Sequence, residues 1–280
     1  MRISCFYKSL VCIGCLLGLQ ACASKPQPAV QAPVSQPEPV TQPVAAPDPE
    51  PQPAPVEAIA PEIKALRDAV ERADRDEIER SAHSVIDAFP ETPHAAEALR
   101  TLADLAMQQQ QFELAQLYAD AALSIDRDDP RSLLLNARVL HALHRDDEAM
   151  KQLNHGIEKS PDDAGLYRMQ AMILIEYLDV DRALQAAQKA HELSPSDCGV
   201  QIVYADALFA AKRFEDSAST YESARLQCKL SEKSLQNLAK LYEVHTQNSQ
   251  KSCELYKLLC EMDPSNPYYK ASRDYQCSLQ

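Results

Sequence analysis

An all-α repeat array is the fold that the sequence predicts, and three observations predict it. Small side chains recur at a fixed spacing of 34 residues: Ala69, Ala103, Ala137, Ala171, Ala205 and Ala239. Around them apolar residues fall at helical spacing, as at Leu133, Ala137, Leu140 and Leu143. Twelve of the 19 prolines lie within residues 23–61, which sets a tether apart from the repeats. Hydrophobic residues make up 45% of the 280 and charged residues 25%, an ordinary soluble balance that excludes global disorder. The 28 Lys and Arg against 41 Asp and Glu give a formal charge of -13, which argues against binding to nucleic acid.

The chain opens on an export signal. Arg2 and Lys8 form a positive start, and Ser9 to Leu19 an apolar run too short to span a bilayer. Leu19-Gln20-Ala21-Cys22 follows and resembles the bacterial lipobox, with cleavage before a cysteine that carries lipid. Cys12 and Cys15 are poorer candidates, because less apolar sequence precedes them. The resemblance implies a signal peptide over 1–21 and a covalent lipid, palmitate included, on Cys22. Ala23 and Ser24 after the cysteine resemble sorting to the outer membrane, facing the periplasm. The other reading of the same residues is an ordinary cleaved signal with an incidental cysteine.

From Cys22 to Pro61 the prolines alternate with Gln, Ala, Val, Glu and Asp, without apolar periodicity. Proline donates to neither helix nor sheet, so this stretch reads as a semi-rigid disordered spacer. At ~3.1 Å per residue it reaches on the order of 120 Å when extended.

Beyond the tether the repeat carries more than alanine. Ser81, Ala115, Ala149, Ala183 and Ser217 stand twelve residues after the first column. Ala88, Ala122, Gly156, Ala190 and Ala224 stand seven further on, and Pro93, Pro161 and Pro195 five beyond those. This pattern resembles the tetratricopeptide repeat, in which each unit is a pair of antiparallel helices. The resemblance implies a right-handed α-α superhelix of about six pairs over 62–265. A one-residue shift in the last unit, to Ser252, Leu259 and Pro264, reads as one extra residue in its interhelix turn. Residues 266–280, with Tyr268, Tyr269 and Tyr275, suit a C-terminal capping helix.

In the resembling family the first helices of the pairs line a concave groove that binds partner segments. Carried over position by position, the groove receives Arg100, Met107, Arg131, Arg138, His141, Arg168, Met172, Ile175, Phe209 and Lys240. Arginine forks suit carboxylates, and Met and Phe give adaptable apolar contact, so the expected partner is a protein segment with acidic and apolar residues. The competing reading pairs the arginines with neighbouring acids and buries Met172 and Ile175 in packing. The run from Leu166 to Leu178 is apolar on nearly every side, which suits burial or contact with a partner.

Five cysteines remain after the signal and Cys22, all in the last 83 residues: Cys198, Cys228, Cys253, Cys260 and Cys277. An exported compartment permits disulfides, and two bridges among five allow fifteen arrangements. Within paired helices, Cys198 opens one helix and Cys228 ends its mate. Cys253 and Cys260 lie too far apart on one helix to bridge, about 10 Å along its axis. The expected bridges are therefore 198–228 and 253–277, with free buried thiols as the other reading.

Catalytic and metal motifs are missing beyond the signal segment: no C-x-x-C pair occurs among the five remaining cysteines, and no G-x-S-x-G, H-E-x-x-H or glycine-rich phosphate loop occurs. His141 and His144 near Asp146 and Asp147 read as surface histidines. No enzyme, metal or cofactor is expected beyond the lipid. The resemblance implies a membrane-anchored scaffold or adaptor that binds proteins in the bacterial envelope, as in assembly of a pilus or secretion apparatus or of peptidoglycan enzymes. Alternatives are a periplasmic chaperone or sorting factor, a structural spacer, or a peptidoglycan or polysaccharide hydrolase.

Overall fold

The computed structural model describes residues 60–279. The signal segment, Cys22 and the tether up to residue 59 lie outside the described residues. Thirteen helices follow one another: α1 (Pro61–Arg72), α2 (Arg75–Ala88), α3 (Pro93–Gln108), α4 (Phe112–Ile125), α5 (Pro130–Ala142), α6 (Asp146–Lys159) and α7 (Ala164–Glu176). Then come α8 (Val180–Leu193), α9 (Cys198–Ala210), α10 (Phe214–Gln227), α11 (Glu232–Lys240), α12 (Ser249–Met262) and α13 (Pro267–Ser278). A π turn, Leu241–His245, prolongs α11. Helices α1 to α12 form six antiparallel pairs stacked in chain order as an all-α solenoid, and α13 packs on α12 to close the array. No described helix is long and apolar enough to cross a membrane.

Local chemistry sets the helix ends. Asp74, Thr92, Asp129, Asp163, Asp179, Asp197, Ser231, Asn248 and Asn266 each accept a backbone N–H of the first turn that would otherwise lack a partner. Such a cap is worth about 1 kcal/mol. Pro61, Pro93, Pro130 and Pro267 occupy the first helical position, where no N–H is needed. Pro61 therefore belongs to α1 and not to the tether.

Every turn within a pair contains one non-glycine residue of positive φ: Ala73, Gln110, His144, Leu178, Lys212 and Gln247. Their spacing is 37, then 34 three times, then 35 residues. The two departures from 34 correct the sequence reading.

At the first departure, α3 has 16 residues where α5, α7 and α9 have 13. The three additional residues displace the whole first pair from the alanine column. The Ala69 carbonyl accepts the N–H of Asp74, just as Ala106, Leu140, Leu174 and Leu208 accept from Gln111, Arg145, Asp179 and Arg213. Ala69 thus matches Ala106, not Ala103. On α2 the buried stripe is Ile78, Ala82 and Val85, the counterparts of Ala115, Ala119 and Ala122. Ser81 is half-buried and Ala88 exposed, and Pro93 starts α3 instead of ending a second helix.

At the second departure, the extra residue does not lengthen the turn. It is absorbed inside the helix: Thr246 N–H bonds the Leu241 carbonyl five residues back, at 3.0 Å. That ring is a π bulge. The turn itself keeps its three residues, Thr246, Gln247 and Asn248.

Small residues hold the pairs together. Ala115, Ala149, Ala183, Ser217 and Ser252 are fully buried on the second helices. Ser217 and Ser252 donate their hydroxyls to the carbonyls of Ala205 and Ala239 on the paired helix, at 2.8 and 3.3 Å. In the last two pairs Tyr221 and Tyr256 fill space that Ala119 and Leu153 fill earlier. Two disulfides, Cys198–Cys228 and Cys253–Cys277, join α9 to the end of α10 and α12 to α13, with Cα–Cα distances of 6.2 and 5.1 Å. Cys260 is a free, half-buried thiol.

Candidate functional site

The first helix of each pair leaves one stripe out of the core. On α5 every residue from Ser132 to Leu140 is buried except Leu134 and Arg138, and the stripe continues through Arg131 and His141. The same positions recur as Arg168, Met172 and Ile175 on α7 and as Ile202, Asp206 and Phe209 on α9. On α11 and the π turn they recur as Lys233, Gln236, Lys240 and Val244. Helical periodicity is the cause, because these residues sit opposite the buried face at spacings of three and four.

The arginines of this stripe divide into two groups. Arg100 Nη1 lies 2.7 Å from Asp129, the N-cap of α5, and 3.2 Å from the Ser132 hydroxyl. Both ends of this pair are mostly buried, so Arg100 fastens α3 to α5. Burial opposes ionisation of Asp129, but the Ser132 hydrogen bond and the Arg100 charge outweigh it and hold the carboxyl below its ordinary range. Arg138 Nη1 lies 2.8 Å from Asp104, its counterpart one repeat earlier, in a half-exposed pair. Such a pair is worth roughly 0–1 kcal/mol. Arg131 and Arg168 form no ion pair within the described residues. The Arg168 guanidinium instead lies over Gly199, where an added Cβ would come within 2.4 Å of Nη1.

The remaining predicted residues also sort by contact. Met107 packs on the Ala103, Ala106 and Val139 cluster, and Met172 and Ile175 pack beside Ala171 and Val203. All three stay half-buried, so they form an apolar floor. His141 Nδ1 stands 2.6 Å from Asp146, and Nε2 stands 3.8 Å from Glu176. Tyr177 donates to the other Asp146 oxygen at 3.0 Å, and that bond to a carboxylate pushes its phenol pKa upward. Lys240 Nζ lies 5.8 Å from the centre of the Tyr268 ring.

Asp206, on the same stripe, is turned inward. One of its oxygens accepts from the Tyr221 hydroxyl and from Asn237 Nδ2. Burial dominates there and raises the Asp206 pKa against both hydrogen bonds. The same burial raises the Tyr221 phenol.

Sequence reasoning missed one feature of this face. Phe209, Phe214 and His245 form a ring cluster, with His245 stacked on Phe214 at 3.6 Å and Phe209 edge-on to both. Val244, which precedes His245 in the π turn, is 60% exposed. The one-residue shift of the last unit was the available signal, because the π bulge sets where Val244 and His245 fall.

No group of three His, Cys, Asp or Glu side chains among the described residues could hold a metal. The array offers surfaces for interaction and no catalytic constellation among the described residues.

Comparisons with known proteins agree with this architecture. Residues 106–173 match the family model described as tetratricopeptide repeat. That segment falls where successive turns keep the strict 34-residue spacing. PilF of Pseudomonas aeruginosa superposes with a TM-score of 0.64 at 16% identity, covering 78% of this chain and 96% of its own. PilW, described as a widely conserved type IV pilus biogenesis factor, gives 0.64 at 14% identity, covering 75% and 96%. A thermophilic TPR protein of Thermus thermophilus gives 0.53 at 13% identity, covering 65% and 98%. At such identities the likeness is one of fold. No curated protein matches the sequence.

Proposed function

We propose that this chain is a lipid-anchored interaction scaffold of the bacterial envelope, and that the face made by its first helices docks a partner protein segment. The tetratricopeptide-repeat fold supports an interaction module, and one observation carries the choice of face. Arg131 and Arg168 offer guanidinium donors with no ion-pair partner within the described residues, beside the half-buried apolar floor of Met172 and Ile175. A carboxylate on a partner would accept two parallel bonds from either arginine. Cys22 would hold the lipid, and the proline-rich tether would set the reach from the outer membrane into the periplasm.

The fold likeness to PilF and PilW supports a role in assembling an envelope machine. Fold alone does not fix function, so the pathway rests on experiment. The test is capture of partners from envelope extract by the full chain, beside an Arg131→Glu/Arg168→Glu variant of unchanged helical content. Loss of the same partners from the variant supports docking on this face. An unchanged set of partners refutes it. Metabolic labelling with palmitate tests the anchor: the chain takes up label and Cys22→Ala does not, whereas label retained by the variant contradicts the assignment.

A further inference from the structure

We propose that the Phe209–Phe214–His245 cluster is the anchor site of this face for an apolar side chain of an acidic partner segment. The inference rests on the groove reading above and adds where the partner is gripped and what chemistry it carries.

The π turn supplies the third ring of the site, His245. In the preceding pair the helix runs from Cys198 to Ala210 without a bulge and ends on Phe209, which meets Phe214 edge-on. The added residue in Leu241–His245 widens the last helical turn and brings the His245 ring flat against Phe214. Phe209 reaches the same rings from α9 at 5.6 and 5.9 Å. Three elements thus converge on one aromatic patch that remains open to solvent. Phe209 is 38% and Val244 60% exposed, which forgoes burial that a core position would gain. Apolar contact of this kind, with rigid rings of few rotamers, is what an interface anchor requires.

The charge class of the partner follows from which groups are already satisfied. Four carboxylates stand on α7, α9, α11 and the π turn. Asp206 accepts from Tyr221 and Asn237, and Glu232 from Tyr269 at 2.8 Å. Glu243 accepts from Tyr256 and Gln276, whereas Glu176 stays exposed, 3.8 Å from His141 Nε2. On the same helices Arg168 and Lys233 make no ion pair within the described residues, and Lys212 in the adjoining turn makes none either. Among the described residues here Arg168, Lys212 and Lys233 outnumber the open carboxylates Glu176 and Glu215, and the carboxylates of a partner complete them.

The probe is a fluorescein-labelled dodecapeptide in which Glu alternates with Leu and Phe, read by polarisation against the full chain. Its control carries Lys in place of each Glu. The acidic probe binds more tightly than the basic one, and Phe209→Ala and His245→Ala each weaken it about tenfold or more, the loss of one anchor. Both positions are exposed, so the folded state survives; circular dichroism and the Tm verify that. Binding of the basic probe as strong as the acidic one overturns the charge assignment, as does no binding of the acidic probe. Equal affinity in wild type and both ring variants overturns the anchor. Envelope partners lost by Arg131→Glu/Arg168→Glu but retained by both ring variants would remove this anchor and leave the docking face standing.

Discussion

The Ser217 hydroxyl, fully buried, donates to the backbone carbonyl of Ala205 across the interface of α9 and α10. The two residues stand twelve apart, the same interval that separates the two small-residue columns in every regular pair. Close approach of the helices, not the hydroxyl, is what the position demands. Ser217→Ala removes donor and need together and costs less than about 1 kcal/mol. Ser217→Leu forces the helices apart and costs about 1–3 kcal/mol or more. Urea unfolding of both variants checks this ranking, and equal losses would contradict it.

Arg100 tests whether a residue of the predicted groove serves folding instead. Its removal leaves Asp129 mostly buried without its cation, so Arg100→Met destabilises the chain by roughly 2–3 kcal/mol. The folded-state pKa of Asp129 is lowered, so the stability it contributes is present above the unfolded carboxylate pKa. It is lost as pH falls through the folded value. The penalty of Arg100→Met is therefore largest near neutral pH and shrinks on acidification. Thermal unfolding at pH 7 and at low pH reads the difference, and a penalty independent of pH would contradict the pairing.

Asp206 runs the other way. Its folded pKa is raised, so its contribution is complete below the unfolded value and is lost as pH rises through the folded one. One carboxylate oxygen takes both hydrogen bonds, and an amide oxygen takes them equally well. Asp206→Asn therefore matches wild type below about pH 4 and is more stable at pH 7.5. Unfolding at the two pH values checks the sign; a less stable variant at pH 7.5 would overturn it.

Leu178 stands in the left-handed region at φ 59 and is 79% exposed, so its side chain returns little for the strain. Leu178→Gly relieves that strain and raises stability by about 0.5–1 kcal/mol, seen as a higher Tm. A lower Tm would mean that the exposed leucine packs usefully.

The regular part of the fold was legible because each repeat repeats its chemistry. Aspartates cap at Asp129, Asp163 and Asp197, 34 residues apart, and alanine marks each helix contact between them. Legibility failed where the period broke. Ala69 is an alanine in the expected column, yet three extra residues in α3 give it a different place, and composition holds no trace of that insertion. The π bulge was visible as a shift but not as a structure, since one added residue fits a turn or a helix equally well in sequence. Among the site residues, the stripe came from the resemblance to the tetratricopeptide repeat, carried over position by position. The engagement of Arg100 and the inward turn of Asp206 depend on neighbours from other helices, which spacing along one chain does not encode.

Docking of a partner on the face of the first helices is the central claim, and site-specific photo-crosslinking in living cells tests it most directly. One photoreactive residue replaces Glu176, exposed on that face, and another replaces Leu226, exposed on the second helix α10. The account predicts a discrete crosslinked partner from position 176 and none of the same size from position 226. The same partner from position 226 alone would contradict it and place the interaction on the second helices.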